Sequence, residues 1–306
     1  MTATASRTDG PRRILVTGAD GLIGSALVDA LAGTADVYAL SRRPTPAVDD
    51  LAHLVPCDLA RPGFTESLPE GVDTVVHLAQ SRRYREFPEG APDVFAVNVA
   101  STAALLDWAR RTGVARFVLG SSGGIQRLRA DRDVDEASPL DFYLASKQAA
   151  ELLSAAYGAA LTVVVLRFFF VYGPAQRPSM LLPRLVRSVA LGDPVVLEGE
   201  DGMRCNPLHV DDAVRAISRA ALLDAGASMD VAGPDTWSLR RIAERIGAGL
   251  GRTPVFKTVP DAAPKDLVGD VGPMTTLLGP PEVPLEDGLV ELCRSYAEEP
   301  GRPAAG

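Results

Sequence analysis

The segment Thr17-Gly18-Ala19-Asp20-Gly21-Leu22-Ile23-Gly24 constrains this 306-residue chain more than any other. It follows the aliphatic run Arg13–Thr17, which reads as a strand, and opens an apolar-periodic stretch, Leu22–Ala32, which reads as a helix. Glycines at 18, 21 and 24 let the backbone turn sharply, approach a bound group closely and pack helix against strand. A helix starting there aims unpaired N–H groups and a positive dipole end at the turn, a geometry suited to a pyrophosphate. A plain tight turn is the alternative, and its placement at the first strand–helix junction weighs against that.

The alternation continues. Asp36–Leu40, Val72–Leu78, Arg116–Gly120 and Leu161–Arg167 read as strands, and Asp93–Arg111 and Tyr143–Tyr157 as helices. Near-continuous apolar strands separated by helices imply a parallel sheet covered on both faces. The expected fold is therefore α/β: a doubly wound parallel sheet of Rossmann type with a smaller C-terminal α/β substrate domain. After Gly173-Pro174 the rhythm changes, with helical patterns at Leu181–Leu191, Leu239–Leu250 and Leu285–Tyr296 and a short strand at Val195–Leu197. Pro254–Pro281 is rich in proline and glycine, and Pro207–Leu223 reads as a strand-like piece followed by a helix that returns to the first domain. The expected division is residues 12–173 with about 206–232 for the dinucleotide-binding domain, and about 174–205 with 233–297 for the substrate domain. Residues 1–11 and 298–306 are expected to be disordered tails.

Composition narrows the function. With 46% hydrophobic and 23% charged residues the chain is an ordinary globular one. The 31 basic and 39 acidic residues give a net charge of −8, which argues against non-specific nucleic-acid binding. An anionic ligand must then be held by local positive contacts. Cys57, Cys205 and Cys293 are an odd number, far apart and without a C-x-x-C pair, so reduced buried thiols in a cytoplasmic protein are expected. His53, His77 and His209 lack ligand spacing, so no metal is expected. No apolar run approaches the ~20 residues that span a bilayer, and Met1–Gly10 lacks a signal-peptide core.

The second strand runs into Ser41-Arg42-Arg43, with no acidic residue to take a ribose 2′-hydroxyl. Arginines there suit a 2′-phosphate, which favours NADP over NAD; a solvated pair of surface charges is the alternative. Tyr143-Leu-Ala-Ser-Lys147 places a phenol and an ammonium one helical turn apart on one face. A phenol with pKa near 10 is a poor base at neutral pH, but a lysine ammonium and an oxidised nicotinamide both favour its phenolate. Tyr143 then serves as base for an alcohol or acid for a ketone, while Lys147 can also bond the nicotinamide ribose. Alone, this spacing is common on surface helices. Ser121-Ser122 ends an apolar strand 21 residues earlier, where a hydroxyl points into the ligand crevice of a doubly wound sheet. Ser122 is placed to bond the reacting oxygen, and Gly123-Gly124 leave room for a bulky substrate or close backbone approach.

Further motifs follow in order: Cys57-Asp58-Leu59, Val75-Val-His-Leu-Ala-Gln80, Asn98-Val99, Leu166-Arg167 to Val171-Tyr-Gly-Pro174, and His209-Val-Asp-Asp212. Together with the GxxGxxG turn and the Tyr143–Lys147 pair, they resemble an extended short-chain dehydrogenase/reductase (SDR) of the NAD-dependent epimerase/dehydratase family, from about Arg12 to about Leu289. The resemblance implies that Ser122, Tyr143 and Lys147 are catalytic. It implies a cofactor site of Gly18, Gly21, Leu22, Ile23, Gly24, Ser41, Arg42, Arg43, Asp58, Leu59, Leu78, Ala79, Gln80, Asn98, Ser121, Tyr143, Lys147, Phe170 and Val171. It also implies a nucleotide-sugar substrate held by Ser122, Gly123, Gly124, Phe170 and a diphosphate-binding Arg204, although Cys205 can occupy that last register. Arg184 and Arg187 are weaker candidates. A homodimer through the helices Asp93–Arg111 and Tyr143–Tyr157 is implied too.

Two departures narrow the reaction. Sugar 4,6-dehydratases resembling this family carry an Asp-Glu pair directly after the catalytic hydroxyl, where this chain has Gly123 and Gly124. Related decarboxylases carry a glutamate nearby. Dehydration and decarboxylation are thus disfavoured, leaving chemistries that need a hydride and one proton. The family's V-Y-G is Ile125-Gln126-Arg127 here, and Phe170 replaces its Asn, which alters the substrate pocket. A nucleotide-sugar C4 epimerase is ranked first, and an NADPH-dependent nucleotide-4-keto-sugar reductase, which fits the arginine pair better, second. A non-catalytic NADP-binding redox sensor is third, because a sensor needs no intact Ser122, Tyr143 and Lys147.

Overall fold

The computed structural model describes residues 11–43, 50–129, 138–260 and 262–298. The expected tails at 1–11 and 298–306 fall outside these residues except at Pro11 and Glu298. The strands, in chain order, are β1 (Arg13–Thr17), β2 (Asp36–Ser41), β3 (His53–Pro56), β4 (Thr74–His77), β5 (Arg116–Ser122), β6 (Thr162–Phe168), β7 (Val195–Glu198), β8 (Arg204–Cys205), β9 (Ala227–Val231), β10 (Trp237–Ser238) and β11 (Phe256–Val259). The helices are α1 (Leu22–Leu31), α2 (Ala91–Phe95), α3 (Ser101–Thr112), α4 (Gln126–Arg129), α5 (Pro139–Ala156), α6 (Leu181–Leu191), α7 (Val210–Ala220), α8 (Leu239–Leu250), α9 (Gly272–Leu278) and α10 (Leu285–Glu298).

Seven strands form one sheet in the order β3-β2-β1-β4-β5-β6-β9. β1 pairs in parallel with β2 and β4, with Leu15 between Tyr38 and Val75. Helices cover both faces of this doubly wound sheet, so β4 is buried along its whole length and β1 over Ile14–Thr17. Strand order reverses between β1 and β4, and ligands of open α/β sheets bind at such a switch point, beyond the C-terminal strand ends. Thr17, His77 and Ser122 close their strands at that end.

The chain divides into two compact units: Met1–Gly120 with Ser146–Val164 and Ala221–Gly226, and Ser121–Ala145 with Val165–Ala220 and Ala227–Gly306. The second unit contains an antiparallel β8–β10 pair and a parallel β7–β11 pair. Its core joins Leu182 and Val186 of α6 to Ile242 and Ile246 of α8 and Leu289 of α10. Among the described residues no helix is long and apolar enough to cross a membrane.

The differences from the sequence reading have local causes. The helix expected from Tyr143 starts at Pro139, because Ser138 and Asp141 form a capping box. The Asp141 carboxylate accepts the Ser138 N–H (2.7 Å), and Ser138 Oγ accepts the Leu140 N–H (3.3 Å). The helix expected over Asp93–Arg111 spans Ala91–Thr112 but widens to a π-turn at Ala96–Ala100, around Asn98. β3 was not expected: it is a partly exposed edge strand with no continuous apolar run. The stretch before α7 forms no strand, only an isolated bridge between His209 and Tyr172. The Pro/Gly-rich 254–281 region holds β11 and α9.

Candidate active site

Backbone packing accounts for the glycine turn. Gly18 has φ +70°, and a Cβ there would stand 2.8 Å from the Ala79 nitrogen. A Cβ on Gly24 would overlap the Gly18 carbonyl oxygen, so α1 can press onto the turn only through a glycine. Gly21 N–H donates to Gly18 O (3.0 Å) and closes the loop. No side chain caps α1, and its first turn carries no acidic residue, which leaves its N–H groups available to an anion. Arg82, which the sequence did not single out, reaches Asp20 of the turn (2.7 Å).

Beyond β2 and β3 lies a cleft of about 440 Å³ lined by Arg42, Asp58, Arg61, Cys57, Phe64 and their neighbours. It brings together two residues expected there, Arg42 and Asp58, and adds Arg61, whose Nε is 3.7 Å from Asp58 Oδ2. Ser41, Arg43 and Leu59 are not part of its lining. Ser41 instead turns to its own loop, its hydroxyl donating to Arg43 O (2.9 Å). Burial beside Asp58 pushes the Cys57 thiol up to about 11, so it is no thiolate at neutral pH.

Leu78 and Ala79 follow β4 and are tied to the turn: Leu78 N–H donates to Thr17 O (3.2 Å) and Ala79 N–H to Thr17 Oγ1 (3.1 Å). Gln80 is exposed. Asn98 uses its amide on both sides, accepting from Ser81 N–H and donating to Ser146 Oγ, each 2.9 Å. The buried Asn98 thus bridges the β4 loop to the helix that carries Lys147.

On α5, Tyr143 is half-buried, and one turn on Lys147 is 4% exposed with its Nζ donating to Gly120 O (3.0 Å). Burial lowers the Lys147 ammonium to about 8, partly offset by the Glu151 carboxylate a further turn along. Ser121 is buried, and Ser122 caps the short turn Gly123–Ile125, its Oγ accepting from Gly124 N–H (3.2 Å).

The two glycines after Ser122 are closed in. A Cβ on Gly123 would fall 2.5 Å from Phe169 Cε1 and nearer still to Cε2 and Cζ, and one on Gly124 would fall 2.8 Å from Leu144 Cδ2. The space a side chain would enter is filled by a ring that is 1% exposed. Phe170 adopts φ +42°, a left-handed conformation that asparagine tolerates and a bulky residue rarely does. The neighbouring Val171 carbonyl accepts from Gln176 Nε2 (2.6 Å). In β8, Cys205 is fully buried and paired with Trp237 while Arg204 is exposed. Successive strand residues face opposite ways, so the outward position belongs to the guanidinium and not the thiol. Arg184 and Arg187 are exposed on α6.

These residues fit a dinucleotide, since the turn is a cradle that a single Cβ would fill. A parallel doubly wound sheet, this turn at its switch point and a Tyr-x-x-x-Lys helix define an enzyme of the extended SDR type. The chain belongs to the NAD dependent epimerase/dehydratase family, whose model matches residues 14–232. It is 31% identical to a dTDP-glucose 4,6-dehydratase of Streptomyces niveus, over 94% of this chain and 93% of the relative. It is 28% identical to YtcB of Bacillus subtilis (strain 168), described as an uncharacterized UDP-glucose epimerase, over 90% and 95%. It is 30% identical to a dTDP-4-dehydro-6-deoxy-D-allose reductase of a Streptomyces species, over 96% and 98%. Among solved structures, MoeE5 in complex with UDP-glucose and NAD matches with a TM-score of 0.77 and 29% identity, over 93% of this chain and 98% of that one.

Proposed function

We propose that this enzyme is a nucleotide-sugar epimerase acting at C4. The observation that carries the reading is the closure of Gly123 and Gly124 by Phe169 and Leu144. Glycines stand at both positions directly after Ser122, and a Cβ at either would press on Phe169 or Leu144, so the proton-transfer groups are assigned as the Ser122 hydroxyl, the Tyr143 phenol and the Lys147 ammonium. That set serves removal of a hydride with one proton and lacks the separate acid and base that eliminating water requires. A nicotinamide dinucleotide, when bound, would supply a reversible two-electron acceptor for the hydride. Gly18, Gly21 and the start of α1 would hold its pyrophosphate, Arg42 and Asp58 its adenosine end, and Ala79 its other half. Tyr143 accepts the sugar hydroxyl proton, Ser122 orients the oxygen, and Lys147 holds the phenol toward phenolate. Arg204 is assigned to the substrate diphosphate.

A second reading, an NADPH-dependent 4-keto-sugar reductase, is favoured by Arg42 and Arg61 in one cleft, two cations suited to a 2′-phosphate. The likeness to the Streptomyces reductase supports it too. The decisive test is release of the copurified dinucleotide, then incubation with UDP- and dTDP-sugars. Retained NAD with interconversion and no net redox change is expected. Stoichiometric NADPH consumption with a 4-keto sugar would make it the reductase. We also propose a homodimer, supported by exposed Phe95 on α2 and Leu152 on α5 (55% and 67%), and a cytoplasmic setting, supported by three buried free thiols.

A further inference from the structure

His77 has no part in the chemistry above, yet both of its ring nitrogens are hydrogen-bonded beside the dinucleotide cradle. It closes β4 at the switch point and is 2% exposed. Its Nδ1 lies 2.7 Å from Thr17 Oγ1, the residue that leads into Gly18, and its Nε2 lies 3.0 Å from Thr102 Oγ1 on α3. The neighbouring bonds fix where the protons sit. Thr102 donates its hydroxyl hydrogen to Asn98 O (2.8 Å), so its oxygen accepts from Nε2–H. Thr17 Oγ1 accepts the Ala79 N–H (3.1 Å) and gives its own hydrogen to Nδ1. The Thr102 end places a proton on Nε2, and burial, with the Lys147 ammonium nearby, pushes the imidazole down to about 3, so the ring is neutral and Nδ1 accepts from Thr17.

One ring therefore joins two hydroxyls: Thr17 at the entrance to the glycine turn, which also accepts from the Ala79 backbone, and Thr102 on α3, which donates to Asn98 in the π-turn. The spacing it sets has no slack, because any atom added at Gly18 would strike Ala79 N, Ala79 Cα or the Leu78 carbonyl carbon. Asn98 passes the constraint on through Ser81 N–H and Ser146 Oγ to the residue beside Lys147.

We infer that His77 is a positioning residue for the dinucleotide, holding Thr17–Gly18 and Leu78–Ala79 at the separation that receives the pyrophosphate and registering both against the helix of Lys147. The inference rests on the dinucleotide-dependent reading proposed above. It is tested on the full chain with His77→Phe, which keeps a ring in the slot and leaves both threonine hydroxyls without their imidazole partner. After release of any copurified dinucleotide, dissociation constants for NAD⁺, NADP⁺ and UDP are measured by calorimetry beside wild type treated in the same way. With each net hydrogen bond worth a factor of about five, affinity for the preferred dinucleotide is expected to fall about ten- to thirtyfold. Affinity for UDP should stay within about twofold, because that ligand calls on none of these bonds. Thr102→Val, nearly isosteric, removes the Nε2 acceptor together with the hydroxyl's bond to Asn98 O and is expected to cost about three- to tenfold; it carries the test if His77→Phe does not fold. Equal loss of dinucleotide and UDP binding, or unchanged dinucleotide binding with only a lower melting temperature, overturns the positioning role. A wild type that binds neither dinucleotide overturns the proposed function itself.

Discussion

Gly123→Ala tests the packing on which the reaction assignment stands. The added methyl meets Phe169, with ring carbons at 2.5 Å and closer, well inside van der Waals distance. Gly269 packs beside the same ring, where a Cβ would lie 2.9 Å from Phe169 Cδ2. Ala232 and Leu267 close the same cluster. Overpacking a tight core costs typically 1–3 kcal/mol, and a ring held by several neighbours puts this site at about 3 kcal/mol. For a chain of this size that is a melting shift of about 5 °C. Urea unfolding followed by circular dichroism measures the loss, and a double-mutant cycle with Phe169→Leu assigns it. Shortening the ring makes room, so Gly123→Ala should cost at least about 1 kcal/mol less in the Phe169→Leu background. The reasoning is refuted if Gly123→Ala stays within about 0.5 kcal/mol of wild type and shows no coupling to residue 169.

Tyr143→Phe is expected to reduce turnover by about 10²- to 10⁴-fold while dinucleotide affinity, read by fluorescence titration, changes little; equal loss of both would remove Tyr143 from the proton-transfer role. With the Lys147 ammonium lowered to about 8 by burial, kcat/KM should decline above about pH 8 as the cation is lost, and Glu151→Gln should move that limb to lower pH. An unmoved limb would separate Glu151 from the charge of Lys147. His77 makes stability pH-dependent: its folded value is depressed to about 3, so below 6.5 the unfolded chain binds the extra proton and acid destabilises the fold. Between pH 7 and pH 5 the cost is about 2 kcal/mol, visible as a steeper fall of unfolding free energy in the wild type than in His77→Phe.

The alternation of apolar strands and helices, the glycine turn and the serine closing a strand were legible because each rests on neighbours in sequence. The expected β1, α1, β5 and β6 lie where the structure has them to within two residues. Features that depend on distant partners were not legible. Arg61 looks like any loop arginine until its turn folds beside Arg42. His77 becomes a clamp only when Thr17 and Thr102, 60 and 25 residues away, meet its two nitrogens. Arg204 and Cys205 could be told apart only by the strand pairing that buries one of them. The early start of α5 was legible in principle, since Ser138-Pro-Leu-Asp141 carries a capping-box pattern.

Overall identity does not rank the possible reactions, although the 31% with a dehydratase exceeds the 28% with an epimerase. A fold hosts many chemistries, and identity summed over the whole chain does not report on the few residues that decide between them. In the proposed reading, the reaction turns on the few residues that follow Ser122. Placing carboxylates at 123 and 124 would demand that Phe169 and Leu144 both give way. Phe169 in turn is packed with Ala232 and Leu267 and is followed by Phe170 in a left-handed conformation. Converting this site to an eliminating one thus requires coordinated changes in the turn after β5, on α5 and in the segment after β6. A lone Gly123→Asp or Gly124→Glu should lose stability without gaining dehydration, which a nucleotide-sugar assay for the 4-keto-6-deoxy product would register as no product.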